Sequence, residues 1–560
     1  MMDIGSGSGL LSMFAANVAR VKSIHAIECC EVMTKISTQV FEANVRGKMV
    51  TLTSKHSKDL IVGEDVPSKV SLVVSETLDC GVFGEGILDT FIHAKQHLLD
   101  VEGKIVPWKV KIHVAGYKSR SLCLNQFLIG ETFQEYIFLD NLRLVAISDE
   151  PYDAEYVNQT IDFKLVTNVV ETIEVDFNDL KSMQEHFDGS IVKQFQLQSE
   201  VSNDFLDGFV VWFTLYLNED DETNFISTAP KACSCWPQAI FKLKNRMLMQ
   251  KYEILKLSMS CRNGCLKIHH EIDSAPENIF LEVAPDIIRF LNDDDYLQEL
   301  EFTVSQHRTK YTSCLDLSPF PYVGLVLLKD SRLDKLWCRR KDEDLIRKLA
   351  VKNVINENRF EFIDDSTFQS SEKFQLIILH PVHPLGDIDS QVICDYPKYR
   401  EMLEDGGLMV PHEITLHGEL INSDWLVDSS RITDIDVKRF KIDKFINKFA
   451  TEVQLDLDNS LDRERLTAEF KISKIFFDEN HHQATVEVPL RNINIPIHAI
   501  FYHHKIKITA NSTEIVTNRK SKASCFKRSA QVLDRELYVE RASVKVSFNQ
   551  NSGIVKCDVE

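Results

Sequence analysis

The sequence predicts an α/β plus β chain in which a doubly wound α/β domain followed by an antiparallel β-barrel domain occurs twice. Three observations predict it. Residues 1–110 alternate strand-like and helix-like segments, the text from about Lys109 turns β-rich, and separate segments of this first half recur downstream at a shared offset.

The elements follow in order. Leu10 to Arg20 is apolar at helical spacing, Ile24–Ile27 is a short strand ending at Glu28, and Val50–Thr53 and Val70–Ser75 are further apolar runs of strand length. Strands separated by helices of roughly 10–15 residues imply a mostly parallel sheet. KVKIHVAGY (109–117), FVVWFTLYL (209–217) and LKIHHEI (266–272) alternate or run β-rich between turns, as antiparallel strands do. An acidic, loop-like stretch around Asn292-Asp293-Asp294-Asp295 precedes the second half. There, VSLVVSETLD (70–79) aligns with FQLIILHPVH (374–383), and EGKIVPWKVKIH (102–113) with GGLMVPHEITLH (406–417), both at an offset of 304, with Pro107 on Pro411. SCWPQAIF (234–241) resembles SCFKRSAQ (524–531) at an offset of 290. A tandem duplication accounts for the shared offset, and two such copies pack as an internal pseudo-dimer. The expected domains are 1–108 (α/β), 109–290 (barrel with an arm-like insertion), 291–318 (linker), 319–411 (second α/β) and 412–560 (second barrel).

Composition narrows the function. Lys plus Arg number 64 against 84 Asp plus Glu, a net charge of −20, so a general nucleic-acid binder is excluded and basic proteins are the natural partners. The 13 Cys form no dense framework, no apolar run reaches the roughly 18–20 residues of a membrane span, and no basic leader opens the chain. A reduced compartment, cytoplasmic or nuclear, is expected.

MMDIGSGSGLL (1–11) carries Asp3, then Gly5, Gly7 and Gly9, then a helix. Alternate glycines let a strand turn sharply into a helix and let a ligand approach where a Cβ would block it. Asp3 can accept from a ligand's amine or hydroxyl, and Glu28, ending the next strand, can accept from two ribose hydroxyls. A dinucleotide prefers G-x-G-x-x-G. The G-x-G-x-G spacing behind an acid resembles the turn of Rossmann-type enzymes that bind S-adenosylmethionine, whose cationic sulfonium tolerates a nearby carboxylate. A merely structural turn is the remaining alternative.

SETLDCGVFGEG (75–86) follows an apolar strand and carries Glu76 and Glu85 around a Gly-containing turn. Two carboxylates in one pocket suit a guanidinium, which stays protonated and offers a planar fork of donors. Taken alone, one Glu capping a helix and the other solvated accounts for the same residues.

The loop resembles the double-glutamate loop of the protein arginine methyltransferases, most closely the branch that carries two modules in one chain and stops at monomethylation. DIGSGSGLLSMFA (3–15), the strand ending at Glu28, the KHS run (55–57), LDGFVVWFTLYL (206–217) and ISTAP with SCWPQAIF (226–241) agree with it. The resemblance implies a Rossmann-type methyltransferase domain followed by a β-barrel. It implies that Asp3, Gly5, Gly7 and Glu28 hold S-adenosyl-L-methionine, with His56 and Ser57 near the adenine. Glu76 and Glu85 would clamp a substrate guanidinium, Trp236 would wall the pocket and Gln238 would lie near it. Asp79 stands where the monomethylating class has an acid, implying a narrow pocket and ω-monomethylarginine as product. Arg-rich basic proteins, such as histones or RNA-binding proteins, are the implied substrates.

Several features depart from that pattern. Cys235 stands where many members have a His. The helices that precede the Gly-rich strand in the family have no counterpart ahead of Met1, so the chain reads as truncated, and an inactive scaffold is the alternative function. In the second module Glu76 falls on His380, Glu85 on Asp389 and Trp236 on Phe526, and LLKDSRL (327–333) is expected in place of the Gly-rich turn, with Lys329 and Arg332 obstructing a cofactor.

No metal is expected. Cys261, Cys265, His269 and His270 have zinc-like spacings, but Arg262-Asn263-Gly264 signals a hairpin that puts the cysteines on facing strands. His481-His482 and His503-His504 lack ligand-spaced partners, and FKRSAQ (526–531) has bases without interleaved aromatics.

Overall fold

The computed structural model describes every residue except 19, 46–48, 149, 161, 233–234, 271–277, 365–367, 369–371, 383–388, 434–439, 452, 458–461, 476–480, 492–493, 518–523, 527 and 550–554. The chain divides into two units: Met1–Arg120 with Ser148–Pro276 and Arg431–Ala450, and Ser121–Ile147 with Glu277–Ser430 and Thr451–Glu560. Each unit thus includes one short segment drawn from the other's stretch of sequence.

In the first unit β1 (Met2–Ile4), β2 (Ile24–Ile27), β3 (Val50–Thr53), β4 (Val70–Ser75) and β5 (Leu99–Val106) form a parallel sheet in the order β3-β2-β1-β4-β5. Every residue of β1 and β2 is buried, Asp3 and His25 included, because a parallel strand covered on both faces does not alternate between buried and exposed positions. Helices α1 (Leu10–Ala16), α2 (Glu31–Asn44) and α3 (Ile87–His93) make the crossovers. Because the strand order reverses between β1 and β4, a crevice opens at their carboxyl ends. β6 (Lys109–Lys118) then enters a seven-stranded sheet with strands Val170–Asp176, Asp204–Tyr216 and Gln238–Met249, and strands Val192–Gln198, Ile254–Arg262 and Cys265–His269 form a three-stranded sheet.

The second unit has the same series of sheets. Its parallel sheet runs Phe360–Ile363, Leu333–Arg339, Tyr311–Asp316, Phe374–Ile378, Leu403–Val410, the order seen in the first. Seven-stranded and three-stranded sheets follow, the former with Glu413–Asn422, Ile497–Lys507 and Arg528–Leu537.

Two expectations are corrected here. Residues 291–318 are not a plain linker: they hold the helix Asp294–His307 and the strand Tyr311–Asp316, central in the second parallel sheet. The acidic run that suggested a solvated loop is a helix cap, with Asp293 fully buried and accepting from the Tyr296 amide at 3.1 Å. Asn292 is also buried and accepts from the Ile129 and Gly130 amides at 2.8 Å. Second, LLKDSRL does not replace the Gly-rich turn. It spans the end of the helix Tyr322–Lys329 and the start of the strand Leu333–Arg339, away from the carboxyl edge. Arg332 donates to Ser305 and Thr309, and Lys329 to the Tyr136 carbonyl, so neither reaches a cofactor position. The true counterpart of the turn is Leu317–Pro321, because Asp316 pairs with Cys338 and Ile378 as Asp3 pairs with Ala26 and Val74.

Among the described residues no helix is long and apolar enough to cross a membrane.

Candidate functional site

The Gly-rich turn leaves β1 at the carboxyl edge with Gly5, Gly7 and Gly9 at φ of 72°, 52° and 82°, a region that side-chain-bearing residues rarely adopt. The glycines do different work. A Cβ on Gly9 would lie 2.5 Å from the Phe41 ring of α2, so Gly9 serves helix packing. A Cβ on Gly7 would meet nothing nearer than 4.0 Å, so that glycine borders open space. Ser37 of α2 donates to the Gly7 carbonyl and Glu28 Oε2 accepts from the Gly7 amide at 2.8 Å, which fixes the turn from below. Glu28 Oε1 accepts from the Cys30 amide at 2.7 Å. The carboxylate is thereby oriented, and each oxygen keeps a lone pair for a further donor.

Asp3 is fully buried beneath this turn. Its Oδ2 accepts from Ser12 Oγ at 2.6 Å, while its Oδ1 has no partner. Burial raises the carboxyl to about 6 against the lowering pull of Ser12. An unpartnered buried acceptor beside open space at Gly7 fits a ligand bearing a donor and a positive charge. His56 and Ser57 follow β3, whose end lies beside Glu28 through the Ile27–Thr53 pairing. Ser57 is buried, and His56 Nδ1 accepts from the Lys58 amide at 3.3 Å.

The second half of the site follows β4. Glu76 and Glu85 both reach solvent. Desolvation by the surrounding walls, then the charge of Glu85, raises the Glu76 carboxyl above its ordinary value. Desolvation, then Asp79, raises Glu85 in the same direction. Like-charge repulsion thus adds to desolvation at both carboxyls, from Glu85 at Glu76 and from Asp79 at Glu85.

Asp79, expected to line the pocket, has both carboxylate oxygens engaged: Oδ1 accepts from the Gly84 amide at 2.9 Å and Oδ2 from the Tyr152 hydroxyl at 2.6 Å. Trp236 donates its indole N–H to the Leu78 carbonyl at 3.2 Å and meets Phe213 edge-on at 5.7 Å, which sets its ring against the double-glutamate loop. Gln238 stands one step behind. It is buried, donates to the Thr228 carbonyl at 2.9 Å and accepts from the Val157 amide at 3.2 Å, so it steadies the Trp236 segment from inside. The structure therefore gathers Asp3, Gly5, Gly7, Glu28, Glu76 and Glu85 at one carboxyl edge, with Trp236 packed on the loop. Sequence reading missed Ser12, Ser37 and Tyr152. Ser12 and Ser37 are polar residues on inward helix faces, a signal in principle, whereas Tyr152 sits in turn-like text with nothing to mark it.

The cysteine-histidine cluster is a hairpin, as expected: Arg262 pairs with Cys265 around Asn263 and Gly264, whose φ values are 50° and 76°. Cys261 is buried and His269 Nε2 pairs with Ser260 Oγ at 2.9 Å.

Residues 129–273 match the family described as the arginine methyltransferase oligomerization subdomain. The chain is 24% identical to protein arginine N-methyltransferase 9 of Xenopus laevis, across 99% of this chain and 79% of that one. Protein arginine N-methyltransferase 7 of Oryza sativa subsp. indica is 23% identical across 65% of this chain and 55% of its own, so the expected likeness to the monomethylating two-module branch is not singled out. Among solved structures, the Trypanosoma brucei PRMT1 enzyme–prozyme heterotetrameric complex with AdoHcy aligns at 20% identity and a TM-score of 0.36, over 48% of this chain and 81% of that one. Similarity along almost the whole chain, joined to that subdomain match, likens this protein to the protein arginine N-methyltransferases and supports a transferase.

Proposed function

We propose that this chain methylates a guanidinium nitrogen of arginine in basic proteins, using S-adenosyl-L-methionine held at the Gly-rich turn. The observation that carries the reading is the pair Glu76 and Glu85, both raised and both open to solvent at the edge that also bears Asp3 and Glu28. Bound S-adenosyl-L-methionine supplies an electrophilic methyl on a cationic sulfur. Asp3 Oδ1 is free to accept from the ligand's ammonium, and Glu28 to accept from ribose hydroxyls. Gly7 leaves the approach open. Glu76 and Glu85 bind the two edges of a guanidinium and hold one nitrogen toward the methyl. Their charge offsets the positive charge gathering on that nitrogen, and positioning supplies much of the acceleration. Trp236 packs on the same loop, and we read it as walling a narrow pocket that gives ω-monomethylarginine as product.

The two halves are read as a tandem duplication, which the equal strand order in both parallel sheets supports. The acidic charge suits Arg-rich substrates such as histones or RNA-binding proteins in the cytoplasm or nucleus.

Incubating the full chain with methyl-labelled S-adenosyl-L-methionine and an Arg-rich peptide tests the reading. Label recovered as ω-monomethylarginine is expected. Dimethylarginine would overturn the narrow pocket, and cofactor binding without transfer would leave an inactive scaffold.

A further inference from the structure

The loop that carries both glutamates is closed by a residue from outside it. Asp79 opens a tight turn: its carbonyl accepts from the Val82 amide at 3.0 Å, its Oδ1 from the Gly84 amide at 2.9 Å, and Val82 takes a φ of 77°. The other carboxylate oxygen accepts from the hydroxyl of Tyr152, 73 residues along the chain, at 2.6 Å. The Tyr152 ring lies over the same turn. A Cβ on Gly81 would collide with it, and one on Gly84 would stand 3.1 Å from its hydroxyl and 2.5 Å from Asp79 Oδ2. Gly81 is thus required by the Tyr152 ring, and Gly84 chiefly by the Asp79 carboxylate that Tyr152 holds. The ring also packs, tilted, against Phe241 of the strand Gln238–Met249 at 5.2 Å, so the brace ties the loop to a barrel strand. Burial, then the bond to Asp79, pushes the phenol well above its ordinary value, which keeps it a donor at any working pH.

We infer that Tyr152 is a positioning residue, acting through Asp79 to set the spacing of Glu76 and Glu85 and hence which arginine species the pocket accepts. The inference rests on the arginine methyltransferase reading above. It also assigns Asp79 a role distinct from direct contact: with both oxygens engaged inside the protein, its charge holds the turn, and the geometry it holds determines the pocket's width. Removing the hydroxyl alone keeps the ring over Gly81 and Gly84 and releases only the carboxylate. The turn then relaxes, and displacement of a positioned group by a fraction of an ångström to an ångström is enough to alter turnover.

The test compares the full chain with Tyr152→Phe, Asp79→Asn and the double variant, using labelled S-adenosyl-L-methionine and two peptides. One carries unmodified arginine and the other ω-monomethylarginine at the same position. The readout is the ratio of kcat/KM for the two acceptors, which a change in the folded fraction does not move. In Tyr152→Phe the ratio is expected to shift by about tenfold toward the methylated acceptor, with cofactor Kd unchanged. Asp79→Asn should give the same shift, and the double variant no further one, as groups acting through a single bond do. A ratio unchanged in both single variants, or additive shifts in the double variant, overturns the inference while leaving the methyltransferase reading intact. If Tyr152→Phe does not fold, Asp79→Asn carries the same comparison. Absence of any transfer by the unaltered chain removes the parent reading and this one with it.

Discussion

The crevice at the carboxyl ends of β1 and β4 has a counterpart in the second unit, at the ends of Tyr311–Asp316 and Phe374–Ile378, and the two differ in what fills them. Asp3 and Asp316 occupy matching positions, and both are buried and raised to about 6 by burial. Asp3 keeps one oxygen without a partner, whereas Asp316 gives Oδ1 to Ser318 and Oδ2 to the Gly324 amide at 3.3 Å. Where Glu28 follows β2, Arg340 follows the equivalent strand, donating to the Phe362 carbonyl at 2.8 Å. Where Gly7 leaves space and Gly9 admits the Phe41 ring, Phe320 and Tyr322 are fully buried, each with its ring centroid 5.9 Å from that of Phe133. At the position of Glu76, His380 stacks on Phe526 at 5.3 Å and meets Phe290 and Tyr296 edge-on. The backbone of the second crevice persists because its strands are held by burial. The two crevices differ at their edges because edge residues can be exchanged for packing without disturbing those strands.

The comparison can be broken most directly at its centre. Glu76→Gln is expected to cut methyl transfer by at least about a hundredfold while cofactor still binds, measured by label transfer and calorimetric titration. Near-parent turnover in that variant would erase the distinction between the two crevices.

A second test concerns support. Phe440, from the segment Arg431–Ala450 within the first unit, is buried against Met13, Val40 and Phe41 and meets Phe14 edge-on at 4.9 Å. Phe41 is the ring that Gly9 accommodates. Phe440→Ala should cost about 3 kcal/mol in denaturant unfolding and weaken S-adenosyl-L-methionine binding, because the turn loses the wall behind it. An unchanged cofactor Kd would mean that the turn is rigid by itself.

The matched aspartates sharpen the contrast through pH. Each has a folded pKa near 6, above the roughly 3.9 of an unfolded chain, so its contribution to stability is complete below about pH 4 and is lost as pH rises through about 6. Asp3→Asn and Asp316→Asn should therefore both gain on the parent between about pH 4 and 8, by roughly 2–3 kcal/mol each. Only Asp3→Asn should lose cofactor affinity. Equal losses from both would indicate two working sites.

The smallest effect is expected from restoring the acid. His380→Glu puts a carboxyl among Phe290, Tyr296 and Phe526 and should cost about 2 kcal/mol without creating a second cofactor site. Titration giving two cofactors per chain would contradict this.

The sequence by itself determined the strands and much of the first crevice. Ile24–Ile27, Val50–Thr53 and Val70–Ser75 were legible as short runs rich in Val, Ile, Leu and Thr, although only the first is buried throughout. The hairpin at Asn263-Gly264 was legible because left-handed turn positions select those residues. Glu28 and Glu76 stood out as acids that directly follow strands, and Asp3 and Glu85 as acids beside Gly-containing turns. Tertiary structure decided the rest. Asp293 and Asn292 became buried caps, although an acidic run in text looks the same capped or solvated. The equivalence of Leu317–Pro321 to the Gly-rich turn emerged only from strand pairing. Tyr152 could not be found in advance, because its bond to Asp79 joins residues far apart in the chain, and no local pattern records a contact that only packing brings about.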